Sequence, residues 1–217
     1  MKKNFSYIII SLNLFLWFLI IYLLVESGLI SSFDEKVYSI FHINKFTTTI
    51  MKFITFFAEP KTIIYFSVVM ILIIRSWKIK FFTLINPLIS LNIFHFVKII
   101  VKRPRPEGIN LLNLGGYSFP SGHSFLAVTF YGFLIFLINR KVKKKSLKIT
   151  LTTVLVILII SILASRVYLG VHYASDVLAG MMLSIFYYIL FIKLIYTKKP
   201  IKVPQKLTNI RKKIKRQ

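Results

Sequence analysis

Cysteine is absent from this chain of 217 residues, which excludes disulfides, thiolate metal ligands and cysteine nucleophiles. Acidic residues are almost as scarce: six Asp and Glu stand against thirty Lys and Arg, for a formal net charge of +24. So few carboxylates argue against a centre that must ligate two metal ions. The composition also lacks the polar surface of a soluble domain, being 56% hydrophobic with a mean hydropathy of +0.73. These values describe an integral membrane protein. The excess positive charge lies between and beyond long apolar runs, which suits cytoplasmic membrane flanks and not a nucleic-acid partner.

The apolar runs predict an all-α, polytopic chain of six transmembrane helices. The first, Phe5 to Val25, follows Lys2 and Lys3 and is about the length a bilayer requires. Val25-Glu26-Ser27-Gly28 offers no small-residue cleavage pattern, so an uncleaved helix is expected in place of a signal peptide. Between Phe33 and Pro60 the character changes: charged residues alternate with Phe46, Ile50, Phe53, Ile54 and Phe57 at helical spacing. That pattern predicts amphipathic helices at the interface, forming a lid. Further spans are expected at Lys61–Trp77, Phe81–Ile100, Gly122–Asn139, Ile149–Ala164 and Val177–Tyr196. Within the third, Asn86, Pro87, Asn92 and His95 are expected to face protein, with His95 hydrogen-bonded in the bundle; His42 is expected on the interfacial surface. The resulting division is an N-terminal helix (1–32), the lid (33–60), a core (61–197) and a polybasic tail (198–217).

Six crossings put both termini on one side. Most of the Lys and Arg then fall on that side, and all six acidic residues fall on the other. The positive-inside rule therefore predicts cytoplasmic termini, with basic flanks and tail touching anionic lipid.

Three polar stretches on the opposite, extracytoplasmic face carry chemistry. Pro120-Ser121-Gly122-His123 leads into an apolar helix, where Pro120 suits the first helical position. The first turn of a helix presents unpaired N–H groups and the positive end of the macrodipole, and Gly122 lets a ligand approach the main chain. This is an anion seat, and His123 adds a group that exchanges a proton near neutral pH. Lys98 and Arg105, in Lys98-Ile-Ile-Val-Lys-Arg-Pro-Arg105-Pro106, supply a point charge and a planar donor fork for phosphate oxygens. Lys102 and Arg103 beside them read as a cluster for lipid headgroups. In the third stretch, Ser165 to Asp176, Arg166 is a third cation. His172 and Asp176 stand four apart, so on one helix the carboxylate would hold one ring nitrogen and aim the other at substrate. Of the acidic residues only Glu107 and Asp176 are expected by the site.

Together these three stretches resemble the signature motifs of the type 2 phosphatidic acid phosphatase and vanadium haloperoxidase superfamily, in order and without substitution. The resemblance covers roughly residues 60 to 195. It implies His172 as a nucleophile forming a phosphohistidine, His123 as the acid for the leaving oxygen, and Asp176 as the residue orienting His172. Lys98, Arg105, Ser121, Gly122 and Arg166 would hold the phosphate. The expected reaction is metal-independent and cofactor-free hydrolysis of a lipid phosphate: phosphatidylglycerophosphate, phosphatidic acid or undecaprenyl diphosphate. Lys102 and Arg103 would favour a second phosphate. The other readings are a headgroup-binding or scrambling protein without chemistry, which would not need both histidines, and a vanadate-dependent haloperoxidase, to which a membrane bundle is poorly suited.

Overall fold

The computed structural model describes residues 2–107 and 110–197, and all regular structure among them is helical. Eight helices follow one another: α1 (Lys2–Glu26), α2 (Ser31–Ser39), α3 (Lys45–Phe56), α4 (Pro60–Ile73), α5 (Trp77–Val101), α6 (Gly122–Lys141), α7 (Lys145–Tyr168) and α8 (Ala174–Thr197). The expected polybasic tail lies outside the described residues.

Helices α1, α5, α6, α7 and α8 are each long and apolar enough to cross a membrane, so this is a multi-pass membrane protein. The second crossing differs from the expected Lys61–Trp77. The chain leaves helical geometry at Ile74, and Ser76 is extended, so Trp77 begins α5. The 14 residues of α4 rise only about 21 Å against a hydrocarbon core of about 30 Å. A sixth crossing forms only if α3 and α4 act as one span, bent by 49° at the break between Phe56 and Pro60. Part of the expected lid is thereby continuous with a crossing, while α2 remains a separate short helix.

The bundle is built around α6. It packs against α5, α7 and α8, while α1 covers α8, α2 also meets α8, and α3 lies on α7. Phe125, Leu126, Ala127 and Phe130 on α6 are all buried in the main core with Ile63, Ile162 and Leu183. A helix that is apolar all round is suited to such a central place. Val154, Ile157 and Ile160 on α7 and Leu12, Leu16 and Trp17 on α1 are exposed, as lipid-facing positions should be.

Polar residues on α5 sort by helical register. Asn86 and Ser90, one turn apart, are buried, and they bond Thr129 of α6 through its carbonyl (3.0 Å) and hydroxyl (3.1 Å). Asn92 and His95, expected to face protein, are exposed on the other side of the helix; Asn92 satisfies its amide on Leu88 O instead. A helix holding Asn86 inward necessarily turns those two positions outward. His42 is exposed, as expected.

The C-terminal ends of α5 and α7 and the N-terminal ends of α6 and α8 meet at one end of the bundle. Close approach there depends on Gly180. A Cβ at this position would lie 2.7 Å from the carbonyl oxygen of Ser121, while the Ser121 N–H donates to Asp176 O at 3.0 Å. Small residues are what let helix backbones come this near in a membrane. Gly180→Ala is therefore expected to cost about 1–3 kcal/mol through overpacking, read as a lower unfolding temperature in detergent; an unchanged transition would contradict this packing.

Candidate active site

The site is assembled from loops that are strapped together by their own backbones. Lys102 takes a left-handed conformation (φ 52°) at the end of α5 and turns the chain back over the bundle. Ser118 then ties the two arms of the following loop together. Its N–H donates to Arg103 O (2.8 Å) and its hydroxyl to Pro104 O (2.7 Å). Lys98, on the last turn of α5, spends two donors on Tyr117 O (2.7 Å) and Ser118 O (3.0 Å), leaving the third ammonium proton for a ligand.

Pro120 stands outside α6, one residue before the N-cap, and follows Phe119 through a cis peptide bond. This corrects the expectation that it opens the helix: Ser121 is the N-cap, extended in backbone, with its Oγ accepting from the N–H of Ser124 at 3.4 Å. Helix geometry leaves the amides of Gly122 and His123 without intrahelical acceptors. Gly122 has a packing reason as well, since a Cβ there would meet the Phe94 ring at 2.7 Å. His123 lies in the electrostatic reach of Arg166, Lys98, Arg105 and His172.

Arg166 is fully buried at the end of α7. One terminal nitrogen donates to the Thr55 hydroxyl of α3, but Nε and NH2 have no hydrogen-bond partner among the described residues. Buried donors of this kind are rarely left unmatched. Arg105 bonds Gly115 O through Nε (2.9 Å) and Val171 O through NH1 (2.6 Å), and NH1 also lies 3.5 Å from His172 Nε2.

His172 sits in the turn before α8, so it does not share a helix with Asp176 as the four-residue spacing suggested. Asp176 is instead on the first turn of α8, where its Oδ2 accepts from the Tyr173 N–H at 2.9 Å, the reach-back of a capping box. The same Oδ2 lies 3.5 Å from His172 Nδ1, beyond a well-formed hydrogen bond. Nδ1 has no other partner among the described residues.

Arg103 departs most from expectation. Far from being a free headgroup contact, it donates through NH1 to Asp176 Oδ1 (2.7 Å) and through NH2 to Asp34 Oδ2 (2.9 Å). Sequence reasoning therefore missed Asp34, which α2 inserts into the site, and Thr55. Asp34 shares its helical face with Val37 and Tyr38, which, with Phe41 just beyond the helix, pack against Val167, Ala174 and Val177. A lone carboxylate on an otherwise apolar face was the signal available for it. A cavity of about 240 Å³ opens beside His172 and is lined by Asp34, Glu35, Tyr38 and Glu107, so the nearby carboxylates are more than the expected Glu107 and Asp176.

The field at His172 is positive. Burial, followed by the charges of Arg166, Lys98 and Arg105, holds its imidazole well below the ordinary value of 6.5. The ring is thus neutral at physiological pH, with an unshared pair available on one nitrogen.

Residues 37–200 match the family model of the PAP2 superfamily. Phosphatidylglycerophosphatase B of Bacillus subtilis strain 168 is 33% identical over 94 residues, covering 42% of this chain and 45% of that protein, so the alignment spans less than half of the relative's length. The crystal structure of the first transmembrane PAP2 type phosphatidylglycerolphosphate phosphatase from Bacillus subtilis superposes with a TM-score of 0.79 at 23% identity. That likeness covers 88% of this chain and 98% of the other, and it concerns the fold.

The sign of the shift at His172 gives a direct expectation. As pH falls, its imidazole should remain neutral through 6.5 and take up a proton only well below it. Imidazole nitrogen NMR of the detergent-solubilised protein, with His172→Ala for assignment, measures this; a midpoint at or above 6.5 contradicts the positive field.

Proposed function

This chain belongs to the PAP2 superfamily, and from that premise we propose that it is a metal-independent lipid phosphate phosphohydrolase working through a phosphohistidine at the extracytoplasmic membrane face. The observation that carries this reading is the division of labour at His172: Nδ1 faces Asp176 while Nε2 faces the phosphate-binding fork of Arg105. A nucleophile needs this orientation, one nitrogen turned toward an acceptor, here at 3.5 Å, and the other aimed at the reacting atom.

The terminal phosphate of the lipid sits among Lys98, Arg105 and Arg166, with the Ser121 hydroxyl and the amides of Gly122 and His123 completing the cradle. The unmatched Nε and NH2 of Arg166 gain their acceptors on arrival of the anion. The phosphate brings negative charge, and with it the proton that His123 must carry. His172 Nε2 attacks phosphorus in line, the phosphorus–oxygen bond to the lipid breaks, and its electron pair takes the His123 proton. The cations stabilise the charge spread over the equatorial oxygens. Water then attacks the phosphohistidine, giving a proton to His123, and the nitrogen–phosphorus bond breaks to release inorganic phosphate and neutral His172. Side-chain cations perform the charge neutralisation in both steps, so no metal ion or cofactor is needed.

Substrate choice follows from Arg103. Its guanidinium is committed to Asp34 and Asp176, which leaves it unavailable to a second phosphate. A lipid carrying a terminal monophosphate is therefore preferred to undecaprenyl diphosphate. Phosphatidylglycerophosphate is the first choice, in line with the name of the Bacillus relative, and phosphatidic acid the second. Arg75, Lys78 and Lys80, before and within the first turn of α5, and Arg140 and Lys141, at the end of α6, support a cytoplasmic placement of the opposite end of the bundle, beside anionic lipid.

Two measurements test this reading. Purified protein should release phosphate from phosphatidylglycerophosphate with or without chelator. His172→Ala should remove release, and Asp176→Asn should reduce it; chelator-sensitive activity restored by a divalent ion, or a fully active His172→Ala protein, contradicts the scheme. Because the chain has no native cysteine, single introduced cysteines report topology cleanly. In intact cells a membrane-impermeant maleimide should label Glu107→Cys and spare Lys143→Cys, and the reverse pattern contradicts the orientation.

A further inference from the structure

A continuous chain of charged groups leads from α2 to the carboxylate behind His172. Asp34 is 3% exposed, and every polar atom of its side chain is used. Its Oδ1 accepts from the Ser175 N–H at 2.8 Å; its Oδ2 accepts from the Ser175 hydroxyl at 2.7 Å and from Arg103 NH2 at 2.9 Å. Arg103 NH1 reaches onward to the Ser175 hydroxyl (2.8 Å) and to Asp176 Oδ1 (2.7 Å). Below, its guanidinium lies over the Tyr173 ring, 3.9 Å from the centroid.

The consequence is geometric. Asp176 has each oxygen tethered by a different group: Oδ1 by Arg103 and Oδ2 by the Tyr173 N–H. A carboxylate held at both oxygens cannot rotate, so the edge it shows to His172 Nδ1 is fixed. Arg103 is fixed in turn by Asp34, whose place is set by α2 and by the first turn of α8. Two buried carboxylates flank one guanidinium, an arrangement in which removing the cation leaves two like charges facing each other.

We propose that Arg103 and Asp34 are positioning residues for hydrolysis at His172, acting through Asp176: the fork of Arg103 sets the rotation of the Asp176 carboxylate, and Asp34 of α2 sets the fork. The inference rests on the proposed hydrolysis. It makes the docking of α2 a condition for correct orientation of the nucleophile. Neither residue contacts the phosphate, so their loss should appear in turnover and not in substrate binding.

The test compares Arg103→Gln, Arg103→Lys and Asp34→Asn, each alone and combined with Asp176→Asn, by steady-state phosphate release from phosphatidylglycerophosphate in detergent, with unfolding temperature followed in parallel. Misplacing a reacting group by about 1 Å costs on the order of a hundredfold in rate. Arg103→Gln should therefore lower kcat on that scale with KM little changed, Asp34→Asn should lower it less, and Arg103→Lys should recover part of the loss. In the Asp176→Asn background the further loss should vanish, because the residue through which both act is already gone. A merely structural role would give losses that persist in that background and track the unfolding temperature, and this result overturns the inference. An unchanged kcat, or a raised KM at constant kcat, overturns it as well. Should Arg103→Gln not fold, Arg103→Lys and Asp34→Asn decide the question by the same criteria. Wild-type protein that releases no phosphate overturns the hydrolase reading and this inference together; wild-type release and an inactive His172→Ala beside fully active Arg103→Gln overturn the inference alone.

Discussion

The constraint on which the site depends is a buried cation whose donors the described residues do not all match. Arg166 is sealed at the end of α7 with two guanidinium nitrogens unmatched, and Lys98 and Arg105 bring further positive charge to the same place. The carboxylate nearest His172 Nδ1, that of Asp176, is already engaged by Arg103. Placing charge in a low-dielectric interior without partners is costly, and a visiting anion removes the cost. Burial, and after it the same positive field, keeps His172 neutral, as its proposed role as nucleophile requires. The cations proposed to bind phosphate thus also help to keep the proposed nucleophile unprotonated.

Holding those charges in place falls to the ends of helices and to a loop tied down by its own hydrogen bonds. Ser121 and Asp176 bond through their backbones across the α6–α8 contact, and Gly180 permits that distance. Lys98 and Arg105 satisfy loop carbonyls with part of their donor set, so they stiffen the polypeptide that they present to a ligand. The segment before α4 adds to this from two directions. Thr55 of α3 bonds Arg166, and Asp34 of α2 bonds Arg103 and Ser175. What reads in sequence as a cover contributes polar groups to the site itself.

Much of this was legible in the sequence because polar residues are conspicuous in a chain that is mostly apolar. Five crossings follow from run length alone, and the three polar stretches that meet at one end of the bundle follow from alternation of direction across the membrane. Other features depend on three-dimensional register. A four-residue interval between His172 and Asp176 looks the same whether or not the helix includes both, and here it begins at Ala174. Asn86, Asn92 and His95 are all polar residues in one span, and only packing decides which stripe faces inward. The partner of Arg103 lies 69 residues away in a helix whose docking no local pattern reveals, so the residue read as a surface charge. The break after Ile73 was hidden because apolar residues continue to Ile74 before Arg75 and Ser76 interrupt them.

The central claim is that His172 becomes covalently bonded to phosphorus, and trapping that species tests it most directly. Lipid phosphate labelled in its terminal phosphate is mixed with the enzyme, quenched within a single turnover in base, where a phosphohistidine survives, and the labelled peptide is sequenced by mass spectrometry. The account predicts label on His172 and none on the His172→Ala protein. Label on another residue, or phosphate release from a wild-type enzyme that never carries label at any time point, would contradict it.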